Sequence, residues 1–449
     1  MGRRKQQQKL HVWMNGLPVG SWETGRAGDR LAYFDHWLAH PQARPLSLSL
    51  PFLPGNMPHQ GAAVAAFFDN LLPDSEAIRR RLAQRHRLAE ASPFQLLSVL
   101  GRDCVGAIQL LPEDETPQDL RTIRGEALDE AGIARLLRQA VAAEPLGLRE
   151  DDADLRLSIA GAQEKTALLR HADRWLLPQG STPTTHIFKL PLGLVGGMQA
   201  DMRSSVENEW LCSRLVAGFG LPVANCGIAR FEEQKVLVVE RFDRRLATDG
   251  GWILRQPQED MCQATATPPH LKYQADGGPG IARILDILAG SQTRERDQMN
   301  FFRTQLVFWL LAATDGHAKN FSLFHLPGGQ YQATPLYDIL SAHPIIGTGR
   351  GRIAPQKVKL AMAVRGGSNH YLLERIRYGH WLSQAKQAGL APAHAARWMD
   401  ELMEQTGEVV KTVAKELPAD FPEDVADSIF QGMLRQRDKL AMGKLASDE

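Results

Sequence analysis

The sequence predicts an α+β fold with three parts: a mixed α/β accessory unit, a small β-rich lobe and a mostly helical lobe. Three observations predict it. Strand-like and helix-like patterns alternate through residues 1–150, short strand-like runs crowd residues 151–256 around one helical pattern, and helical periodicity dominates residues 257–449. A sheet lobe followed by a helical lobe suggests a cleft between the two, where ligands often sit.

At the N-terminus, His11-Val12-Trp13-Met14 and Leu17-Pro18-Val19-Gly20 flank Asn15-Gly16, a pair that favours a type I′ hairpin turn because both central residues take φ > 0. Leu46-Ser47-Leu48-Ser49-Leu50 alternates as a strand would, and helices are expected over Ala62–Leu72, Asp74–Leu88 and Ser92–Leu100. Val105–Leu111 reads as a strand, and the acidic stretch Pro112–Gln118 as an exposed connection. The β-rich part holds Leu155–Ile159, Thr166–Arg170, Trp175–Leu177, Thr185–Leu190, Cys226–Arg230 and Val236–Glu240. Its one helix, Val206–Phe219, stops at Gly220, which is placed as a C-terminal capping glycine. Helices are then expected at Ile281–Ala289, Asp297–Ala313, Tyr371–Ala388 and Pro392–Thr406, with short strands at Phe321–His325 and Tyr331–Pro335.

Composition narrows the class of protein. A chain of 449 residues suits two to three domains, and 43% hydrophobic with 23% charged residues excludes wholesale disorder. A net charge of +1 removes the simplest case for nucleic-acid binding and leaves room only for a local basic patch. No apolar run approaches the ~20 residues of a membrane helix. The basic start Met1-Gly2-Arg3-Arg4-Lys5 runs into Gln6-Gln7-Gln8 with no apolar core of a signal peptide. Cys104, Cys212, Cys226 and Cys262 lack metal-site or disulfide spacing, so a cytoplasmic, reducing compartment is expected.

The most informative segment is Ala313-Thr314-Asp315-Gly316-His317-Ala318-Lys319-Asn320, at the end of the most apolar helix pattern. Asn320 lies five positions after Asp315, and Tyr337-Asp338 comes after a strand–turn–strand pattern. Phosphoryl transfer uses such parts: an Asp near the acceptor hydroxyl, an Asn for a metal ion and a second Asp for Mg²⁺ on the phosphates. The kinase catalytic loop has the same five-residue spacing. His317 stands where common protein kinases carry Lys or Arg, which points to an atypical kinase. The spacing by itself also fits a plain helix-ending turn.

Other parts of a nucleotide site can be sought nearby. Lys189 lies in the apolar strand run His186-Ile187-Phe188-Lys189-Leu190, where a buried amine needs a partner. Glu207 or Glu209 could supply the counter-charge, and the sequence does not choose between them. Ser158-Ile159-Ala160-Gly161-Ala162-Gln163-Glu164-Lys165 is rich in small residues that let backbone N–H groups approach phosphate. It lacks GxGxxG and the Walker pattern, so it reads equally as an ordinary hairpin loop. Val239-Glu240-Arg241-Phe242-Asp243 has the position of a hinge offering backbone groups to adenine.

These residues carry a family resemblance. Leu157–Leu168, Thr182–Lys189, Gln258–Gln263, Asp276–Arg283 and Thr314–Ser322 resemble the HipA toxins, serine/threonine kinases of bacterial type II toxin–antitoxin modules. So do Arg44–Pro51, Phe67–Asp74 and Gly101-Arg102-Asp103 near the N-terminus. The resemblance covers most of the chain. It implies a bilobal protein-kinase-like core with an N-terminal accessory domain. It implies Asp315 as catalytic base, Asn320 and Asp338 as Mg²⁺ ligands, and ATP contacts from Ala160, Gly161, Ala162, Gln163, Glu164, Lys165 and Lys189. Glu240, Arg241 and Phe242 would present the hinge to adenine, and His317, Ala318, Lys319 and Tyr337 would line the nucleotide site.

Ser158 matches the family's autophosphorylated serine, whose modification displaces the phosphate loop. A charge of about −1.5 to −2 beside groups meant for ATP phosphates makes that inactivation physically sound. Members resembling this long form phosphorylate glutamyl-tRNA synthetase, which slows translation and brings on drug-tolerant dormancy. A small helix-turn-helix antitoxin, HipB, neutralises them, and the complex represses its operon. Lys386 matches one position that touches the DNA backbone, while Gly389 stands at the second basic position. Two other readings stay open on the residues alone: a small-molecule or lipid kinase, to which the histidine at 317 lends support, and a non-catalytic corepressor.

Overall fold

A computed structural model of the protein describes residues 8–141 and 163–448. The expected strand Leu155–Ile159, Ser158, and Ala160, Gly161 and Ala162 lie outside the described residues. The chain forms two compact units, each assembled from three stretches: Met1–Leu190, Ala229–Leu271 and Ser322–Tyr331 in the first, Pro191–Ile228, Lys272–Phe321 and Gln332–Glu449 in the second. The division expected from sequence is linear; the compact units interleave it. No helix among the described residues is long and apolar enough to cross a membrane.

The first unit opens with the Asn-Gly hairpin. Strands Gln8–Met14 and Leu17–Gly25 pair antiparallel around Asn15 (φ 47°) and Gly16 (φ 83°), both left-handed as the turn requires. Gly28–Tyr33, His59–Gln60 and Ile108–Pro112 complete a five-stranded sheet. Helices Ala62–Asp69 and Pro93–Leu100 bury Phe67, Phe68, Leu96 and Leu97, and Phe68 stacks on Trp22 at 4.0 Å between ring centroids. Ser92 caps the second of these helices and Ser75 caps Glu76–Arg85, each side chain accepting a backbone N–H of the first turn.

Leu46–Leu50 is not a strand, and this corrects the expectation. The segment is a turn whose serines point inward: Ser49 Oγ donates to the Gln263 carbonyl at 2.7 Å, and Leu48 N–H donates to Glu259 Oε1 at 2.9 Å. Buried hydrogen bonding to one partner segment produced an alternation that imitates a pleat.

Five strands of a second, six-stranded sheet lie wholly in this unit, in the order Gln234–Glu240, His186–Lys189, Lys165–His171, Arg174–Pro178 and Gly125–Leu128. Helix Glu130–Val141, absent from the elements expected above, buries Ile133, Leu136 and Leu137 against Leu168, Phe188 and Val236 of that sheet.

The second unit is mainly helical: Ser205–Gly218, Ile281–Leu288, Arg294–Leu311, Tyr378–Gln387, Pro392–Ala414 and Glu423–Asp448. Gly220, at φ 73°, ends the first of these as anticipated. Its core gathers Phe302 against Trp381 and Trp398, and the Trp309 indole N–H donates to the Leu373 carbonyl at 3.1 Å. Tyr371–Ala388 is not one helix. Asn369–Leu372 pairs as a strand with Lys359–Arg365, and helix begins only at Tyr378.

Within the first unit, Asp103 and Asp243 are buried with Arg241, Arg244 and Arg255. Arg244 donates to Asp103 Oδ1 and Asp243 Oδ2 at 2.9 Å each, Arg241 donates to Asp243 Oδ1 at 3.0 Å, and Thr184 Oγ1 donates to Asp103 at 2.7 Å. Burial pushes the Asp103 carboxyl up; the guanidiniums of Arg244, Arg241 and Arg255 outweigh it and hold the group well below the usual carboxylate range. Removing one partner of such a cluster strands the rest, so Asp103→Asn is expected to cost about 3–5 kcal/mol in urea unfolding. The depressed carboxylate adds stability that is full above its unfolded-state pKa of about 4 and is lost as the pH falls below it. The variant should therefore lose less stability than the wild type on going from about pH 5 to pH 2; equal acid sensitivity of the two proteins would contradict this.

Candidate active site

The long helix Arg294–Leu311 ends at Ala312, whose φ of 49° is uncommon for alanine. The Ala312 carbonyl accepts from Ala342 N–H at 3.0 Å, and Ala313 N–H returns to the Phe308 carbonyl at 2.8 Å. The chain leaves the helix in one sharp step. Gly316 then crosses the Phe308 ring so closely that a Cβ there would lie 2.5 Å from Phe308 Cδ2. This turn lifts Asp315 into solvent, its side chain 55% exposed, while His317, Ala318, Lys319 and Asn320 are buried.

Asp315 Oδ1 accepts a hydrogen bond from the Tyr273 hydroxyl, and His317 Nε2 approaches the same oxygen at 3.9 Å. After the short 3₁₀ turn Ala318–Asn320, the Asn320 side chain donates through Nδ2 to the Asp338 carbonyl at 3.0 Å. The Tyr337 hydroxyl donates to the Lys319 carbonyl at 2.7 Å. Asp338 itself adopts φ 60°, a conformation that Asp tolerates better than most residues and that functional sites tend to retain. Two side-chain–backbone bonds fix the chain just beyond Asp338: Asn208 Nδ2 donates to the Ser341 carbonyl and Ser341 N–H donates to Asn208 Oδ1, both at 2.8 Å. Ser341 Oγ donates to the Leu311 carbonyl at 2.6 Å, which ties the Asp338 segment to the helix end that bears Asp315.

The Asn320 amide nitrogen donates to the Asp338 backbone carbonyl, and an amide oxygen is a hard donor of the kind that Mg²⁺ takes. One amide oxygen and one carboxylate suit Mg²⁺, which keeps several waters and takes phosphate oxygens as further ligands. Among the described residues no group of three or more His, Cys, Asp or Glu is arranged to hold a metal ion. An amide–carboxylate pair completed by substrate oxygens does not require one.

The first unit carries the other expected residues. Lys165 and Lys189 stand directly opposite in antiparallel register, with Lys189 buried. Gln163 and Glu164 close that strand pair: Gln163 Nε2 donates to the Leu190 carbonyl, Leu190 N–H donates to the Glu164 carbonyl, and the Glu164 carboxylate pairs with Arg81. Glu240 is exposed at the end of its strand, opposite His186. The Arg241 side chain belongs to the buried ionic cluster, and the Arg241 backbone N–H donates to the Thr185 carbonyl at 2.8 Å. The Phe242 carbonyl accepts from Gln256 Nε2 at 3.1 Å. Glu207 and Glu209, the two candidate counter-charges for Lys189, are both buried on helix Ser205–Gly218, which belongs to the second unit.

Lys386 is exposed on helix Tyr378–Gln387. Gly389 takes φ 74° and Leu390 N–H donates to the Ala385 carbonyl at 2.9 Å, a left-handed helix stop that explains glycine at that position. Tyr273, Asn208 and Ser341 were not anticipated. Tyr273 had one available signal, its place just ahead of the Asp276-Gly277-Gly278-Pro279-Gly280 run.

Comparison with known proteins bears on the whole arrangement. The model of the HipA-like C-terminal domain matches residues 157–410, and that of the HipA N-terminal domain matches residues 10–111. Y4mE of Sinorhizobium fredii, which carries the name of a kinase, is 34% identical over 436 residues, covering 96% of this chain and 98% of that protein. The serine/threonine-protein kinase toxin HipA of Shewanella oneidensis is 27% identical over 347 residues, 74% of this chain and 75% of that one. Among solved structures, HipA from the Shewanella oneidensis complex of HipA, HipB and operator DNA superposes with a TM-score of 0.76 at 22% identity, covering 96% of this chain and 97% of that one. At that identity the likeness bears on the fold.

The close crossing of Gly316 over a buried ring generates a test. Gly316→Ala must displace Phe308, which is 4% exposed, and should cost about 1–3 kcal/mol, read as a lower melting temperature. An unchanged melt would show that the loop does not depend on this approach.

Proposed function

The chain belongs to the HipA family, and on that premise we propose that it is an ATP- and Mg²⁺-dependent serine/threonine protein kinase, the toxin of a toxin–antitoxin pair. The observation that carries the reading is the hydrogen bond from Asn320, five positions beyond an exposed Asp315, to the backbone carbonyl of Asp338, which holds an amide residue and a carboxylate residue together. In this reading the Asp315 carboxylate takes the proton of the acceptor hydroxyl. Asn320 and Asp338 are the residues that hold Mg²⁺, whose chemistry when bound is to neutralise charge on the phosphates. Lys165 and Lys189 grip the triphosphate. The two lysines occupy paired positions on neighbouring strands, so one bound anion can be met from both. Gln163 and Glu164, with Ala160, Gly161 and Ala162 before them, lead into the first lysine.

Glu240, Arg241 and Phe242 offer the adenine-facing backbone, and His317, Ala318, Lys319 and Tyr337 line the nucleotide. The acceptor is a translation enzyme, with glutamyl-tRNA synthetase the first to examine, and its modification halts translation and favours dormancy. Autophosphorylation at Ser158 switches the kinase off by setting a charge beside the phosphate-binding lysines. A HipB-like helix-turn-helix antitoxin neutralises the toxin and carries it to operator DNA, where Lys386 adds a backbone contact.

Phosphoproteomics after brief expression of wild type beside Asp315→Asn tests this reading. The variant should lose phosphate transfer by about 10²–10⁴-fold. Its melting temperature should hold, because the Asp315 side chain is largely in solvent. New phosphosites on a translation enzyme and at Ser158 are expected with the wild type alone. Equal labelling by the two proteins would contradict the assignment, and label confined to lipids or metabolites would move the acceptor out of the protein class.

A further inference from the structure

We propose that Tyr273 is a positioning residue for Asp315: its hydroxyl holds one carboxylate oxygen and leaves the other to take the acceptor's proton. The inference rests on the kinase reading and deepens it. An aspartate at 55% exposure would otherwise sample several rotamers, and only some of them suit proton transfer.

Tyr273 is well placed to restrict that freedom because its arm is fixed at several points. The Lys272 carbonyl accepts from Ala318 N–H at 3.3 Å, so the backbone next to Tyr273 is joined to the loop that carries His317 and Asn320. The Tyr273 ring meets the buried His317 ring edge to face, 5.1 Å between centroids at 83°. The Lys272 ammonium lies 5.6 Å from the centroid of the same ring.

The glycine-rich run after Tyr273 braces the arm. Gly278 N–H donates to the Tyr273 carbonyl at 3.0 Å, through a turn at Gly277 whose φ of 109° suits glycine alone. Gln274 Oε1 accepts from Ala363 N–H at 2.8 Å. A Cβ on Gly280 would lie 2.3 Å from the Gln274 side-chain carbon, so glycine there gives that amide its room. The Asp276–Gly280 motif thus acquires a purpose: it builds a rigid mount for the hydroxyl that aims Asp315.

An interaction that matters only while the proton moves should appear in kcat and not in nucleotide binding. Tyr273→Phe removes one oxygen and keeps the ring against His317. With wild type, Asp315→Asn and Tyr273→Phe assayed side by side on the full-length chain, Tyr273→Phe should lower kcat about ten- to a hundredfold. KM for ATP, the Kd of a non-hydrolysable ATP analogue and the melting temperature should all stay within about twofold or a degree of wild type.

Full kcat in Tyr273→Phe, or a loss confined to KM for ATP, would overturn the role of Tyr273 while leaving the kinase reading intact. A wild type without Asp315-dependent transfer would overturn both. Should Tyr273→Phe fail to fold, Gln274→Ala loosens the same arm through Ala363, and unchanged kcat in that variant would overturn the inference.

Discussion

The hydrogen bond from the Asn320 amide to the Asp338 carbonyl joins two loops whose residues are 18 positions apart, and the rest of the candidate site depends on it. It orients the amide by using its nitrogen. It also places an aspartate in left-handed backbone next to a catalytic-type loop, a conformation that survives only where the surroundings impose it. Those surroundings are visible: Asn208 clasps Ser341 through both of its amide atoms, Ser341 Oγ caps the Leu311 carbonyl, and Ala342 N–H holds the Ala312 carbonyl. One helix end therefore supports both loops, and a shift in either would be felt by the other.

Rigid support contrasts with the exposure of the residue that would do the chemistry. Lys319 and Asn320 are buried, whereas Asp315 reaches into solvent where an acceptor can approach. A protein substrate needs that access, and the cost is freedom in the carboxylate. Tyr273 answers that cost locally without covering the group. Charge in the first unit obeys the same logic of local compensation. Asp103 and Asp243 are buried where three guanidiniums and a threonine meet them.

Much of this was legible in the sequence, for physical reasons that differ by element. The Asn15-Gly16 turn announces itself because two left-handed residues in succession are costly for anything else. The helices capped by Ser75 and Ser92 arise from side chains that replace missing backbone acceptors. Asp315, Asn320 and Asp338 were singled out because phosphoryl transfer would use those chemical types at that spacing, and the family resemblance raised the same residues; the structure joins two of them through the Asn320 amide and the Asp338 carbonyl. Leu46–Leu50 misled because serines buried on hydrogen bonds mimic the alternation of a strand. Tyr371 misled because Tyr371-Leu372-Leu373 has apolar spacing that can be read as the first turn of the helix that follows, whereas it is divided between a hairpin strand and a short 3₁₀ turn. Tyr273 was missed because it meets Asp315 across 42 positions, and its place ahead of the Asp276–Gly280 run does not say what it touches.

The most direct measurement is a crystal structure of the full-length protein soaked with a non-hydrolysable ATP analogue and Mn²⁺ in place of Mg²⁺, with anomalous data collected at the manganese edge. An anomalous peak bound by the Asn320 side-chain oxygen and the Asp338 carboxylate is expected, with phosphate oxygens of the analogue as further ligands. Nucleotide bound elsewhere, or a metal peak that touches neither residue, would contradict that expectation.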